Sequence, residues 1–201
     1  MRYKIGVLAV LLPAILSAGD IPPSGIAGGA SWAKSSTINL YVVSPTSGGF
    51  TAGQITDINT SFDNWNSTLG SSLTFSHSTV TTAPSSPSGL YIIVQLGTCA
   101  AGLSACTSYF NNSTSGYATY SIINVVSSAI GTNAILPLMA HEVGHTYLLA
   151  DCNMCNVDDT LMSTVVITPS SHTSPRCGDE LRLYSMTVFS PAGSYGSVSC
   201  P

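Results

Sequence analysis

Charge is scarce in this chain. Asp, Glu, Lys and Arg together make 7% of the residues, against roughly a quarter in an ordinary soluble domain. The five basic residues form no patch or run. That excludes the electrostatic footprint on which nucleic-acid binding depends, so no nucleic acid is expected as a partner. Histidine occurs four times, and glutamate only as Glu142 and Glu180. With so few ionisable groups, those that fall at a chemically useful spacing carry weight. The surface must be covered by Ser, Thr, Asn and Gly, which suits an extracellular protein.

The N-terminus pairs Arg2 and Lys4 with an apolar run from Ile5 to Leu16, followed by Ser17-Ala18-Gly19. A basic start, a short apolar core and small residues after it read as a secretory signal peptide, residues 1–19. The run is too short for a confident membrane span, and no Cys follows it to carry a lipid. A secreted chain without stable membrane association after cleavage is expected. Loss of Arg2 and Lys4 from the five basic residues would leave three against nine acidic ones, a net charge of −6. Residues 20–36, rich in Pro, Gly, Ala and Ser, read as an exposed lead-in. Residues 37–201 suit one domain with room for a real core.

All six cysteines follow the signal. An even count in an exported chain implies disulfides, and six cysteines allow 15 pairings among which sequence does not choose. Cys99 and Cys106 bracket a short loop and are the expected local pair. Cys152, Cys155, Cys177 and Cys200 can pair as disulfides, favoured in an oxidising compartment, or hold a second, structural zinc.

His141-Glu142-Val143-Gly144-His145 is the stretch that carries chemistry. Two histidines four residues apart lie one helical turn apart on one face, so both imidazoles can bind one metal ion. Glu142 follows the first and can take a proton from a water that the metal activates. Asp151, six residues past His145, stands where a third ligand would lie just beyond the helix end. Asp159-Thr160-Leu161-Met162-Ser163 is a polar turn around one methionine.

An extended HExxH, a third ligand six residues on and a later Met-turn resemble the metzincin clan of zinc peptidases. An Asp as third ligand is most similar to snapalysin and to bacterial matrixin-like secreted peptidases. The resemblance is specific from His141 to Met162 and loose elsewhere. It implies a monomeric zinc endopeptidase acting on protein or peptide substrates, with Zn2+ held by His141, His145 and Asp151. Glu142 would be the catalytic base and Met162 an apolar floor beneath the histidines. The implied fold is α+β: a twisted, mixed and mostly parallel sheet with long helices, an active-site helix at the cleft floor and a small C-terminal part.

The chain departs from that pattern in places. The family has Gly three residues after the second histidine, where the chain turns back; here it is Leu148, which disfavours positive φ and points to a turn by another route. Asp158, Glu180 and His172 are rival ligands. Glu180 would suit a thermolysin-type peptidase, although the Asn-Glu-x-x-x-Asp pattern of that family is missing. A Tyr that some members place two residues after the Met is here Thr164. Pro175-Arg176-Cys177-Gly178 matches the start of the matrixin cysteine switch, but it follows the catalytic stretch, where a half-cystine role is expected. A different class of function also fits the low charge: a secreted binding or surface protein with a vestigial metal site. Retention of Glu142 argues against that, since structural zinc needs no base.

Elsewhere periodicity predicts the frame. Ile38–Val43 and Leu73–Val80 read as strands. Thr51–Leu69 reads as an amphipathic helix with Ile55, Ile58, Phe62 and Trp65 inward, ended by Gly70. Leu90–Leu96 is a nearly continuous apolar run, hence a central strand. Gly97–Gly116 reads as a long loop without the carboxylates that calcium would need. Tyr117–Val126 is a further strand, which the family resemblance makes the cleft edge. The helix carrying His141 would be capped by Asn133 and bury Met139, Val143 and Tyr147. Asp179–Phe189 reads as a last helix.

Overall fold

The computed structural model describes residues 32–33, 35–69, 73–112, 115, 117–131, 135–151, 160–163, 172–176 and 179. The expected signal peptide, Gly70, Asn133, Asp158, Thr164, Glu180 and the cysteines other than Cys99 and Cys106 lie outside these residues, as does the expected last helix beyond Asp179.

Among the described residues, five strands and two helices make a mixed α/β fold. They run β1 (Thr37–Val43), α1 (Ala52–Leu69), β2 (Thr74–Val80), β3 (Leu90–Gly97), β4 (Ala105–Asn111), β5 (Ala118–Val126) and α2 (Ile135–Thr146). The strands form one sheet in the order β2-β1-β3-β5-β4. β1 pairs parallel with β2 and β3, and β3 pairs parallel with β5. Only β4 runs antiparallel, against β5.

β3 is central because Ile92, Ile93 and Val94 are apolar on both faces, and all three are buried. α1 starts with a capping box: the Gln54 amide N–H donates to Thr51 Oγ1 (3.3 Å), and the Thr51 N–H donates to Gln54 Oε1 (2.8 Å). Its inward residues Ile58, Phe62 and Trp65 are fully buried and join one core with Leu40, Ile92, Val94 and Ile123 of the sheet and Met139 and Val143 of α2. On the other face of the sheet Tyr91, Tyr120 and Phe110 stack across three strands, at centroid separations of 5.0 and 4.1 Å.

Two expectations are corrected here. The stretch 97–116 is not all loop, because it contains β4; and β5 is not the edge, because β4 pairs outside it. Ala-Cys-Thr-Ser-Tyr-Phe-Asn has no run of β-branched residues, and its polar side chains suit a strand exposed along one edge. One residue of the stretch read as an exposed lead-in is not exposed. Trp32 is fully buried in the core, since a large apolar ring among small residues is driven out of water. The expected disulfide joins Cys99 to Cys106 and ties the loop before β4 to that strand.

Candidate metal centre

The geometry of α2 follows from its sequence period. Met139, Val143 and Tyr147 are fully buried on one side, while His141, Glu142 and His145 line a cleft of about 560 Å³ bounded by β4. Trp65 of α1 fixes the helix from behind. Its indole N–H donates to the Ala140 carbonyl (2.7 Å), and its ring stacks on Tyr147 at 5.4 Å. Gly144 permits this packing, because a Cβ there would collide with the Met162 sulfur and crowd the Trp65 ring. Met162 is fully buried and passes directly against the histidine-bearing helix.

The helix ends in a Schellman motif. The Leu149 N–H donates to the Gly144 carbonyl (3.2 Å) and the Leu148 N–H to the His145 carbonyl (2.9 Å). The residue in the left-handed position is Leu148, at φ 68°. The chain therefore does take the positive-φ turn that a Leu was expected to avoid. A left-handed non-glycine costs about 1–2 kcal/mol, but the Leu148 side chain is only 1% exposed, and burying a Leu is worth about 1.5–3 kcal/mol. Burial offsets the strain.

This turn does two things. It brings the Leu149 carbonyl onto His145 Nδ1 (2.7 Å), and it returns the chain so that Asp151 faces both rings. Asp151 Oδ1 lies 3.1 Å from His141 Nε2 and 3.4 Å from His145 Nε2. One ligand atom from each of His141, His145 and Asp151 lies within 4.8 Å of the others. His172 is not in this group, and the rivals Asp158 and Glu180 lie outside the described residues.

The donor set fits a cation. His141 Nδ1 faces the Leu161 carbonyl at 2.7 Å, and His145 Nδ1 faces that of Leu149. A carbonyl only accepts, so each Nδ1 carries a proton, and Nε2 is the atom that each ring turns toward the Asp151 carboxylate. Lone pairs on three atoms repel unless a proton or a metal ion stands among them. A carbonyl behind the far nitrogen is the usual support of a metal-binding histidine. Burial lowers the His141 pKa, but the Asp151 hydrogen bond, the Glu142 charge and the Leu161 carbonyl together raise it. The hydrogen bonds to His141 and His145 hold the Asp151 carboxyl far below the usual carboxylate range.

Two residues of the site had no role in the sequence reading. Thr107 of β4 donates its hydroxyl to Glu142 Oε2 (2.6 Å); it falls in the stretch read as loop, and no sequence signal marks it. Asp179 is fully buried and accepts from the Thr160 hydroxyl, the Leu161 N–H (2.9 Å) and the Arg176 N–H (2.9 Å). It thus holds the turn whose Leu161 carbonyl orients His141.

The chain matches no protein-family model, and no curated protein matches it.

Proposed function

We propose that this chain is a secreted zinc-dependent endopeptidase of the metzincin type, hydrolysing peptide bonds of protein or peptide substrates. The observation that carries this reading is the convergence of His141, His145 and Asp151 beside Glu142 in one cleft. Two neutral imidazoles and a carboxylate are a donor set for zinc. When bound, zinc would supply Lewis acidity, polarising a carbonyl and making a water easier to deprotonate. Glu142 takes the water's proton and passes it to the leaving amine. Its carboxylate is 4% exposed as a residue yet lines the cleft, so it meets substrate and little bulk water.

β4 supports the substrate class. It is the outer strand next to the cleft, and an outer strand can pair its backbone with an extended peptide. The polypeptide backbone is then recognised before any side chain is. Among the described residues no helix is long and apolar enough to cross a membrane. The signal-like N-terminus and the low charge favour action outside the cell.

Metal analysis of the purified chain, with peptide cleavage measured with and without a chelator, tests the reading. About one zinc per chain and chelator-sensitive cleavage are expected. Glu142→Gln should keep the zinc and lose about 100- to 10,000-fold in turnover. Undiminished turnover in a clean preparation of that variant would sink the mechanism.

A further inference from the structure

We infer that Thr107 is the positioning residue of Glu142, clamping one carboxylate oxygen so that the other is presented to the cleft; this rests on the peptidase reading above. Thr107 lies opposite Ile123 of β5, whose side chain is fully buried. The pleat therefore turns Thr107 toward α2, while its neighbour Ser108 is exposed. Its Oγ1 lies 2.6 Å from Glu142 Oε2 and 3.2 Å from the Glu142 backbone carbonyl oxygen. A hydroxyl has one proton to give, and the shorter contact has the length of a hydrogen bond to an ionised carboxylate. Among the described residues Glu142 Oε1 has no hydrogen-bond partner in the protein.

The chemical consequence is orientation. A glutamate swings its carboxylate about three side-chain torsions, and a base that wanders by an ångström is a poor base. Thr107 removes that freedom at one oxygen, and its branched Cβ restricts its own torsion, so the clamp is stiff at both ends. It stands on β4 next to Cys106, whose disulfide to Cys99 fixes the start of the strand. The base is thereby tied to the strand beside the cleft as well as to its own helix.

The zinc-loaded chain is assayed on a fluorogenic peptide as wild type, Thr107→Val, Thr107→Ser, Glu142→Gln and the Thr107→Val/Glu142→Gln double variant. Thr107→Val should lower kcat about 10- to 100-fold, with KM and bound zinc within about twofold of wild type. Thr107→Ser restores the hydroxyl and should recover most of the loss. In the Glu142→Gln background Thr107→Val should cost almost nothing further in kcat, because both changes remove one unit. The zinc-free proteins give a readout without activity: the double variant should melt no lower than the worse single variant. If Thr107→Val does not fold, Thr107→Ala takes its place.

The inference is overturned by a Thr107→Val kcat within twofold of wild type, by Thr107→Ser no better than Thr107→Val, or by an equal loss in the Glu142→Gln background. If wild type cleaves, Glu142→Gln does not and Thr107→Val is unimpaired, the positioning role alone fails. A zinc-loaded wild type that cleaves no peptide removes the peptidase reading and this inference together.

Discussion

His141 and His145 reach the candidate centre from a regular helix, whereas Asp151 reaches it from outside any element. The difference shows in their surroundings. The histidine side chains are 11% and 18% exposed, and that of Asp151 is 51% exposed. Each imidazole is held at its far nitrogen by a backbone carbonyl, Leu161 for His141 and Leu149 for His145. Among the described residues, the contacts of the Asp151 carboxylate are the two imidazoles themselves. The helix-borne candidate ligands are thus held independently of Asp151, and the turn-borne one is held by the two rings it faces. The two groups are still coupled, because the turn that carries Asp151 also supplies the Leu149 carbonyl that orients His145.

Removing ligands breaks this comparison most directly. His141→Ala should abolish measurable zinc binding. Asp151→Ala should weaken it heavily but less, since water reaches that side and can take the place of an exposed carboxylate. Losses well above 100-fold are expected for both, because even a residue behind a ligand commonly costs 10- to 100-fold. Asp151→His should regain part of the affinity by supplying an imidazole. Asp158→Ala, Glu180→Ala and His172→Ala should leave it unchanged. A competition titration with a chromophoric chelator measures all of these. Wild-type affinity in Asp151→Ala, with a loss in Glu180→Ala, would overturn the choice of third ligand.

The next effect sharpens the comparison from behind His141. Asp179→Asn keeps one acceptor oxygen but turns an NH2 toward groups that themselves donate. It should loosen the Leu161 peptide, cost about 10- to 100-fold in zinc affinity and lower stability by about 1–3 kcal/mol. Its pH signature is specific. Burial raises the Asp179 pKa above the ordinary carboxylate value, against the pull of the Leu161, Thr160 and Arg176 hydrogen bonds. A carboxyl whose folded pKa exceeds its unfolded value, about 3.9, binds its proton more tightly in the folded state. Its contribution to stability is therefore full below that value and declines as pH rises through the native pKa. Asp151 has the opposite sign: its folded pKa is depressed, so its contribution is present above the unfolded value and is lost as pH falls. Thermal melts of the zinc-free wild type and Asp179→Asn across this range separate the two. The wild-type advantage should be largest in acid and shrink as pH rises; an advantage growing with pH would show that the hydrogen bonds outweigh burial.

The parts of the molecule built by periodicity were legible in the sequence. The period of α2 places Met139 and Val143 inward and the two histidines outward, and the apolar run of β3 marks a central strand. What periodicity does not reach was missed or misread. β4 has a polar, mixed composition because one edge of it faces a cleft, and so it reads as loop. Thr107 is an ordinary strand residue until α2 packs over it, a contact across 35 positions. Asp179 stands beside the more obvious candidate Glu180, and its partners Thr160 and Leu161 lie far along the chain. The role of Gly144 also appears only once Met162 and Trp65 converge on it. Local chemistry names the candidate ligands, and tertiary packing decides which neighbours orient them.

The smallest expected effect concerns the turn itself. Leu148 combines a strained backbone with a buried side chain. Leu148→Gly removes about 1–2 kcal/mol of left-handed strain and loses about 1.5–3 kcal/mol of burial, for a net loss within about 2 kcal/mol. Leu148→Ala loses much of the same burial while its Cβ keeps the strain, so it should be the less stable of the two. That reverses the usual order, in which Gly near a helix is worse than Ala. Zinc affinity should hold within about threefold in Leu148→Gly, because Gly takes a positive φ without steric cost and Asp151 still turns inward. Denaturant melts of the two variants, with zinc titration of each, measure this. If Ala is better tolerated than Gly, the chain does not hold a left-handed residue at 148 in solution, and the route by which Asp151 reaches the histidines must be redrawn.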